Sequence, residues 1–123
     1  MKIMILDVGC GKAAVGDVNL DIKKQQVPDF VQADAQHLPF VDNAFDRVVS
    51  THCIEHVDSP TKAILEMLRV TKDSVEIYTP WHNRFVFFDL LGFNKDKKEY
   101  RYSITIEWYA YPEQLKITLR KLT

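Results

Sequence analysis

The sequence predicts a single α/β domain over residues 1–123 with a mostly parallel sheet. Three observations carry this. Short apolar runs ending in an acidic residue follow one another: Ile3 to Asp7, Val18 to Asp21, and Phe30 to Asp34. A helix with an explicit start at Ser59-Pro60 separates two later strand-like runs, Phe45 to Ser50 and Ser74 to Thr79. Gly9 and Gly11, one residue apart, come directly after the first run, where a strand must turn. Strands alternating with helices give a sheet that is parallel over its first half.

The elements follow in order. Residues 2–8 lack polar alternation and read as a buried strand. Residues 17–22 alternate and form a second strand. Only nine residues, Gly9 to Asp17, lie between them. A parallel crossover normally takes a dozen or more, so its helix is expected to shrink to one turn or become a loop. Pro28 opens a short third strand, Asp29 to Ala33, and Phe45 to Ser50 is a fourth. Ser59 is an N-cap with Pro60 at the first helical position, and Ala63, Ile64, Met67 and Leu68 form one apolar face through about residue 70.

Ser74 to Thr79 is a fifth strand closed by Pro80. Asn83 caps a helix to Leu91 that stops at Gly92, with Phe85 to Phe88 in its core; Lys95 to Glu99 is a charged, solvated loop. The alternation from Tyr100 to Ala110 is a strand with one wet face. Pro112 then starts an expected last helix, with Leu115, Leu119 and Leu122 on one side.

Composition narrows the function classes. A formal net charge of -1 gives no basic surplus, so nucleic acid is not the indicated partner. No stretch approaches the roughly 20 apolar residues of a membrane span, and the chain enters a strand at once, without a signal-peptide pattern. Cys10 and Cys53 are the only cysteines and suggest no disulfide framework. A reducing cytoplasm is the expected setting.

Candidate site residues gather at strand ends. Gly9 and Gly11 permit positive φ and close approach of a ligand to the backbone, at the sheet edge where α/β proteins bind ligands. Asp21, ending the second strand, can accept from both hydroxyls of a ribose; a solvated strand-end aspartate is the alternative. At the end of the third strand, Asp34 can accept from an exocyclic amino group and the Ala35 amide can donate to a ring nitrogen, with Leu38 placed to flank an adenine face. A turn aspartate is the alternative there.

In order, Leu6-Asp7-Val8-Gly9-Cys10-Gly11, Leu20-Asp21-Ile22, the stretch from Ala33 to Phe40 (Ala-Asp-Ala-Gln-His-Leu-Pro-Phe) and the stretch from Phe45 to Val57 with Glu55-His56-Val57 at its end resemble the class I S-adenosylmethionine-dependent methyltransferases of small-molecule type. The resemblance covers residues 3 to about 80 and continues weakly through Tyr111 to Leu115. It implies a Rossmann-like methyltransferase sheet and S-adenosylmethionine as cofactor. Asp7, Gly9, Cys10 and Gly11 would line its methionine part, and Asp21 would hold the ribose with Ile22 against the adenine. Asp34 and Ala35 would read the adenine edge, and Ser50, Thr51 and His52 would lie under the sulfonium. Against that pattern the chain looks truncated: no helix precedes the first strand, the first crossover is short, and the terminal strand hairpin is expected to be missing. An open pocket and an uncovered sheet edge beside the fifth strand would follow.

His52-Cys53-Ile54-Glu55-His56 also matches the His-x-x-Glu-His pattern of inverted zinc proteases. Pro60 leaves no room for the helix that would hold both histidines on one face, so no metal site is assigned and His56 reads as a packing or hydrogen-bonding residue. The expected function is methyl transfer to a small-molecule acceptor, with His52 and His82 as candidate bases. The alternative is a cofactor-binding or regulatory module without its own acceptor site, acting with a partner subunit. Tyr100, Tyr102 and Trp108 on one strand, next to an unfilled sheet edge, point to a homo-oligomer.

Overall fold

A computed structural model describes residues 2–80, 101–109 and 114–122. Among these residues, seven strands and one α-helix follow the order β1 (Ile5–Val8), β2 (Val18–Asp21), β3 (Phe30–Gln32), β4 (Phe45–Thr51), α1 (Pro60–Val70), β5 (Thr71–Thr79), β6 (Tyr102–Tyr109) and β7 (Gln114–Lys121). They form one sheet ordered β3-β2-β1-β4-β5-β7-β6. The first five strands are parallel; β7 runs antiparallel between β5 and β6. The expected mostly parallel α/β sheet is therefore present. The helix expected from Asn83 to Leu91, the loop Lys95 to Glu99, Tyr100 and Pro112 lie outside the described residues.

The C-terminal segment corrects two expectations. Residues from Gln114 onward form a strand, not a helix, and with β6 they make the terminal antiparallel hairpin expected to be missing. Leu115, Ile117 and Leu119 alternate with Lys116, Thr118 and Arg120, which is a strand period. The spacing of Leu115, Leu119 and Leu122 imitates a helix face, but Leu122 is 50% exposed and lies past the strand. β7 pairs with β5 from Ser74 to Thr79, so that edge is filled.

Strand register sorts the side chains onto two faces. One row runs Val18, Leu6, Val48, Val75, Leu119, Ile104 across the sheet; the next runs Val31, Leu20, Val8, Ser50, Ile77, Ile117, Ile106. This is the apolar face. α1 covers it with the fully buried Ala63, Ile64, Met67 and Leu68, the face read from the sequence. Burying each of the larger side chains contributes roughly 1.5–3 kcal/mol. The other face is polar. Arg47 on β4 reaches Glu76 on β5 at 2.7 Å, and the Lys116 ammonium stands 5.8 Å from the Tyr78 ring centre.

The expected start of α1 is observed: the Ser59 hydroxyl accepts from the Lys62 N–H at 3.3 Å and Pro60 opens the helix. At the other end, Arg69 fastens the loop before β4. Its guanidinium donates to the Leu38 and Phe40 carbonyls at 2.9 and 2.7 Å, to Asp42 at 3.0 Å and to Glu66 at 2.7 and 3.1 Å. Glu66 accepts from the Leu38 N–H at 2.8 Å. The guanidinium and this backbone bond hold Glu66 below the usual carboxylate range despite its burial. Replacing Arg69 by Met takes the guanidinium donors from two carbonyls and from Glu66, which keeps the Leu38 N–H, while retaining an aliphatic stem. Arg69→Met is expected to cost roughly 2–4 kcal/mol in denaturant unfolding; a loss under about 0.5 kcal/mol would place the network among ordinary surface pairs.

Candidate functional site

The connection from β1 to β2 contains no helix, as its length requires. Three side chains hold it instead. Asp7 Oδ2 accepts from the Val15 N–H at 3.1 Å, and Asp17 Oδ2 accepts from the Ile5 N–H at 2.9 Å. Asn19 accepts from the Gly16 N–H at 2.8 Å and donates to the Gly16 and Pro28 carbonyls at 3.1 and 2.9 Å. The Gly9 and Cys10 N–H groups both donate to the Leu20 carbonyl, at 2.8 and 3.0 Å, closing the turn onto β2. Gly9 has φ +77°, and a Cβ there would sit 2.5 Å from Cys53 Cβ and 2.8 Å from its Sγ. Gly11, at φ +54°, faces open space.

Beside this turn lies a hollow of about 370 Å³, within the usual range for small-molecule pockets. Among the described residues it is lined from the carboxyl ends of strands: Gly9 after β1, Leu20 and Asp21 on β2 with Ile22, Lys23 and Gln25 after it, Ala33 to Gln36 after β3, and His52, Cys53, His56, Val57 and Asp58 after β4. β1 has β2 on one side and β4 on the other, which makes this crevice the topological switch point of the sheet. Of the expected residues, Gly9, Asp21, Ile22, Asp34, Ala35 and His52 come together here. Asp7, Cys10, Gly11, Leu38, Ser50 and Thr51 are outside the lining. Leu38 is 4% exposed and packs in the core. Asp7 holds the crossover loop from behind. His82 lies outside the described residues. Lys23, Gln25, Gln36, Cys53 and Val57 are lining residues that sequence reasoning missed; only proximity to Asp21, Asp34 and His52 in the chain could have found them.

The two pocket carboxylates also serve the loops. Asp21 Oδ2 accepts from the Gly11 N–H at 2.9 Å and Oδ1 from the Lys23 N–H at 3.0 Å. Asp21 thus also holds the glycine turn and the start of the loop after β2. Each carboxylate oxygen can accept twice, so acceptor capacity for a ligand remains. His52 stands at φ +53°, with its N–H on the Tyr78 carbonyl at 2.7 Å and Nδ1 3.5 Å from Glu55 Oε2. It precedes the 3-10 turn Ile54–His56, so His52 and His56 do not share a helical face. Among the described residues no cluster of three His, Cys, Asp or Glu could hold a metal. Burial pushes both thiols up to about 11, with the Asp7 and Asp21 charges adding to the effect. They are protonated at neutral pH, which argues against cysteine nucleophiles.

Comparisons with known proteins bear on the family and the fold. The family model described as "Methyltransferase domain" matches residues 12–79. The chain belongs to the methyltransferase-domain family. It is 39% identical over 72 residues to a demethylmenaquinone methyltransferase of Renibacterium salmoninarum, covering 58% of this chain and 28% of that protein. It is 31% identical over 133 aligned positions to the ubiquinone/menaquinone biosynthesis C-methyltransferase UbiE of Pseudomonas savastanoi, covering 94% of this chain and 52% of that protein. The chain thus spans about half the length of the latter relative, and less of the former. Among solved structures, a SAM-dependent methyltransferase from Aquifex aeolicus superposes with a TM-score of 0.71 at 14% identity, over 98% of this chain and 82% of that one, a likeness of fold.

Within this methyltransferase-domain chain Asp7 is 3% exposed. Burial raises its carboxyl above the ordinary value, the Val15 N–H pulls it down, and the Asp21 charge raises it further. A raised folded-state value favours the protonated form, so its contribution to stability is full below the unfolded value of 3.8 and is lost as pH rises through the folded value. Asp7→Asn imitates the protonated form and keeps an acceptor for Val15. It is expected to melt above the parent at pH 7, with the difference closing toward pH 3.8. A destabilisation of equal size at every pH would contradict the burial argument.

Proposed function

We propose that the pocket binds S-adenosylmethionine and that the protein transfers its methyl group to a small-molecule acceptor. The observation that carries this is the placement of Asp21 and Asp34 at the ends of adjacent strands, both lining one crevice together with Gly9. The donor set fits the cofactor: two carboxylates accept from ribose hydroxyls and an adenine amino group, and Ile22 offers apolar surface. The bound cofactor supplies a sulfonium-activated methyl group. The chain's part is to orient the acceptor in line and exclude water. His52 at the pocket wall is the candidate group to take a proton from an acceptor that arrives protonated. The names of the curated relatives support an acceptor of quinone type.

Calorimetry with S-adenosylmethionine and S-adenosylhomocysteine tests the reading. Asp21→Asn is expected to weaken both by at least about tenfold, with a small fall in melting temperature because its single carboxamide oxygen can accept from only one of the Gly11 and Lys23 N–H groups. Absence of heat and of thermal shift at millimolar ligand in the parent would remove the proposed function. A cytoplasmic location belongs to the same proposal; no helix among the described residues is long and apolar enough to cross a membrane.

The chain is also proposed to self-associate through β6. Among the described residues this strand is paired on one side only, by β7. Its sequence from Tyr102 to Tyr109 carries one charge, Glu107, and no proline, and exposes Ile106, Trp108 and Tyr109 at 41%, 66% and 38%. Such an edge lacks the usual guards against strand pairing. Sedimentation is expected to show a dimer that Ile106→Lys dissociates; a strict monomer at high concentration would end this proposal.

A further inference from the structure

Gln36 lies between the proposed adenine carboxylate and the start of α1, and each end of its side chain has a partner. Its amide oxygen accepts from the Ser59 N–H at 3.0 Å. Its amide nitrogen lies 3.3 Å from Asp34 Oδ1 and 3.5 Å from Oδ2. The Gln36 backbone N–H donates to the same Oδ1 at 2.9 Å, and the His37 N–H closes the turn on the Asp34 carbonyl at 3.0 Å. Only one orientation of the amide serves both partners. Turned over, it would set a donor against the Ser59 N–H and an oxygen against a carboxylate. Both donors from Gln36 converge on Oδ1, so Oδ2 keeps lone pairs for a ligand, and both residues line the pocket.

We infer that Gln36 is a positioning residue that holds the Asp34 carboxylate where it selects an amino-bearing purine over an oxo-bearing one. The inference rests on the cofactor reading above. A carboxylate fixed as an acceptor pairs with the exocyclic amino group of adenine. Against hypoxanthine it meets a carbonyl oxygen, acceptor facing acceptor, and a site built for one hydrogen-bonding pattern discriminates strongly against the mismatched one. Ser59 is the N-cap of α1, so Gln36 also ties this selection to the helix that covers the sheet.

The test uses S-adenosylhomocysteine and S-inosylhomocysteine, titrated into the parent, Gln36→Glu and Gln36→Met. Gln36→Glu still accepts from the Ser59 N–H but sets a second negative charge against Asp34. Gln36→Met fills the same space with neither function. The parent is expected to prefer the adenine ligand by at least about tenfold, and both variants are expected to bring that ratio close to one. The melting temperature is expected to fall in Gln36→Met, where Ser59 loses its acceptor. If Gln36→Glu does not fold, Gln36→Met carries the measurement. A parent that binds both ligands alike, a preference unchanged in the variants, or an equal weakening of both ligands would overturn the inference and leave the cofactor reading standing. A parent that binds neither ligand would overturn that reading and the inference with it.

Discussion

The hydrogen bonds of Asp7, Asp17 and Asn19 to the backbone around the β1–β2 connection are the constraint on which the site depends. Nine residues must leave one strand, rise over the sheet edge and re-enter in parallel at the register Leu6 to Val18. A helix would satisfy its own backbone groups; a helix-free loop cannot, and unpaired buried backbone groups are costly. The three side chains supply the missing partners at the Ile5, Val15, Gly16 and Pro28 backbone. The Gly9 N–H on the Leu20 carbonyl and the Gly11 N–H on Asp21 then hold the glycine turn against the end of β2. Burying the Asp7 carboxylate for this purpose costs stability at neutral pH, which the loop's hydrogen bonds offset.

The absence of a helix in that connection also bears on the sheet. A parallel sheet covered on both faces has strands that are apolar throughout. Here β4 and β5 place Val48, Val75 and Ile77 toward α1, and Arg47, Glu76 and Tyr78 on the other side. The Arg47–Glu76 pair suits a face that meets water. The apolar face, in contrast, is sealed by α1 and by the loop that Arg69 binds to it, and this loop leads from the Asp34 turn into β4. Packing and pocket are therefore one structure: Leu38 and Phe40 are held in place by the guanidinium whose helix begins beside Gln36.

Much of the site was legible because its markers are local. A glycine with positive φ, an acidic residue at a strand end and a Ser-Pro helix start each follow from a few consecutive residues. Leu38 is the opposite case: an apolar residue after a strand suits an adenine face or a core equally, and in the fold it is buried among the core residues. The terminal segment failed similarly. Leu115, Leu119 and Leu122 satisfy a helix period, while Leu115, Ile117 and Leu119 satisfy a strand period, and the chain alone does not choose. The open hydrogen-bonding edges of β5 and β6 choose, since a strand inserted between them pairs both.

The sequence by itself determined the parallel order of the first strands, the helix-free crossover, the extent of α1 and the carboxylates that face the pocket, because each depends on near neighbours or on chain length. Only the tertiary structure decided which strands adjoin, that residues 114–121 complete the sheet, that Asp7 is engaged by the crossover loop while Asp21 lines the pocket, and that Gln36 joins Asp34 to α1. These depend on pairing register and on contacts between residues far apart in the chain, such as Ser59 with Gln36. No local pattern encodes such contacts.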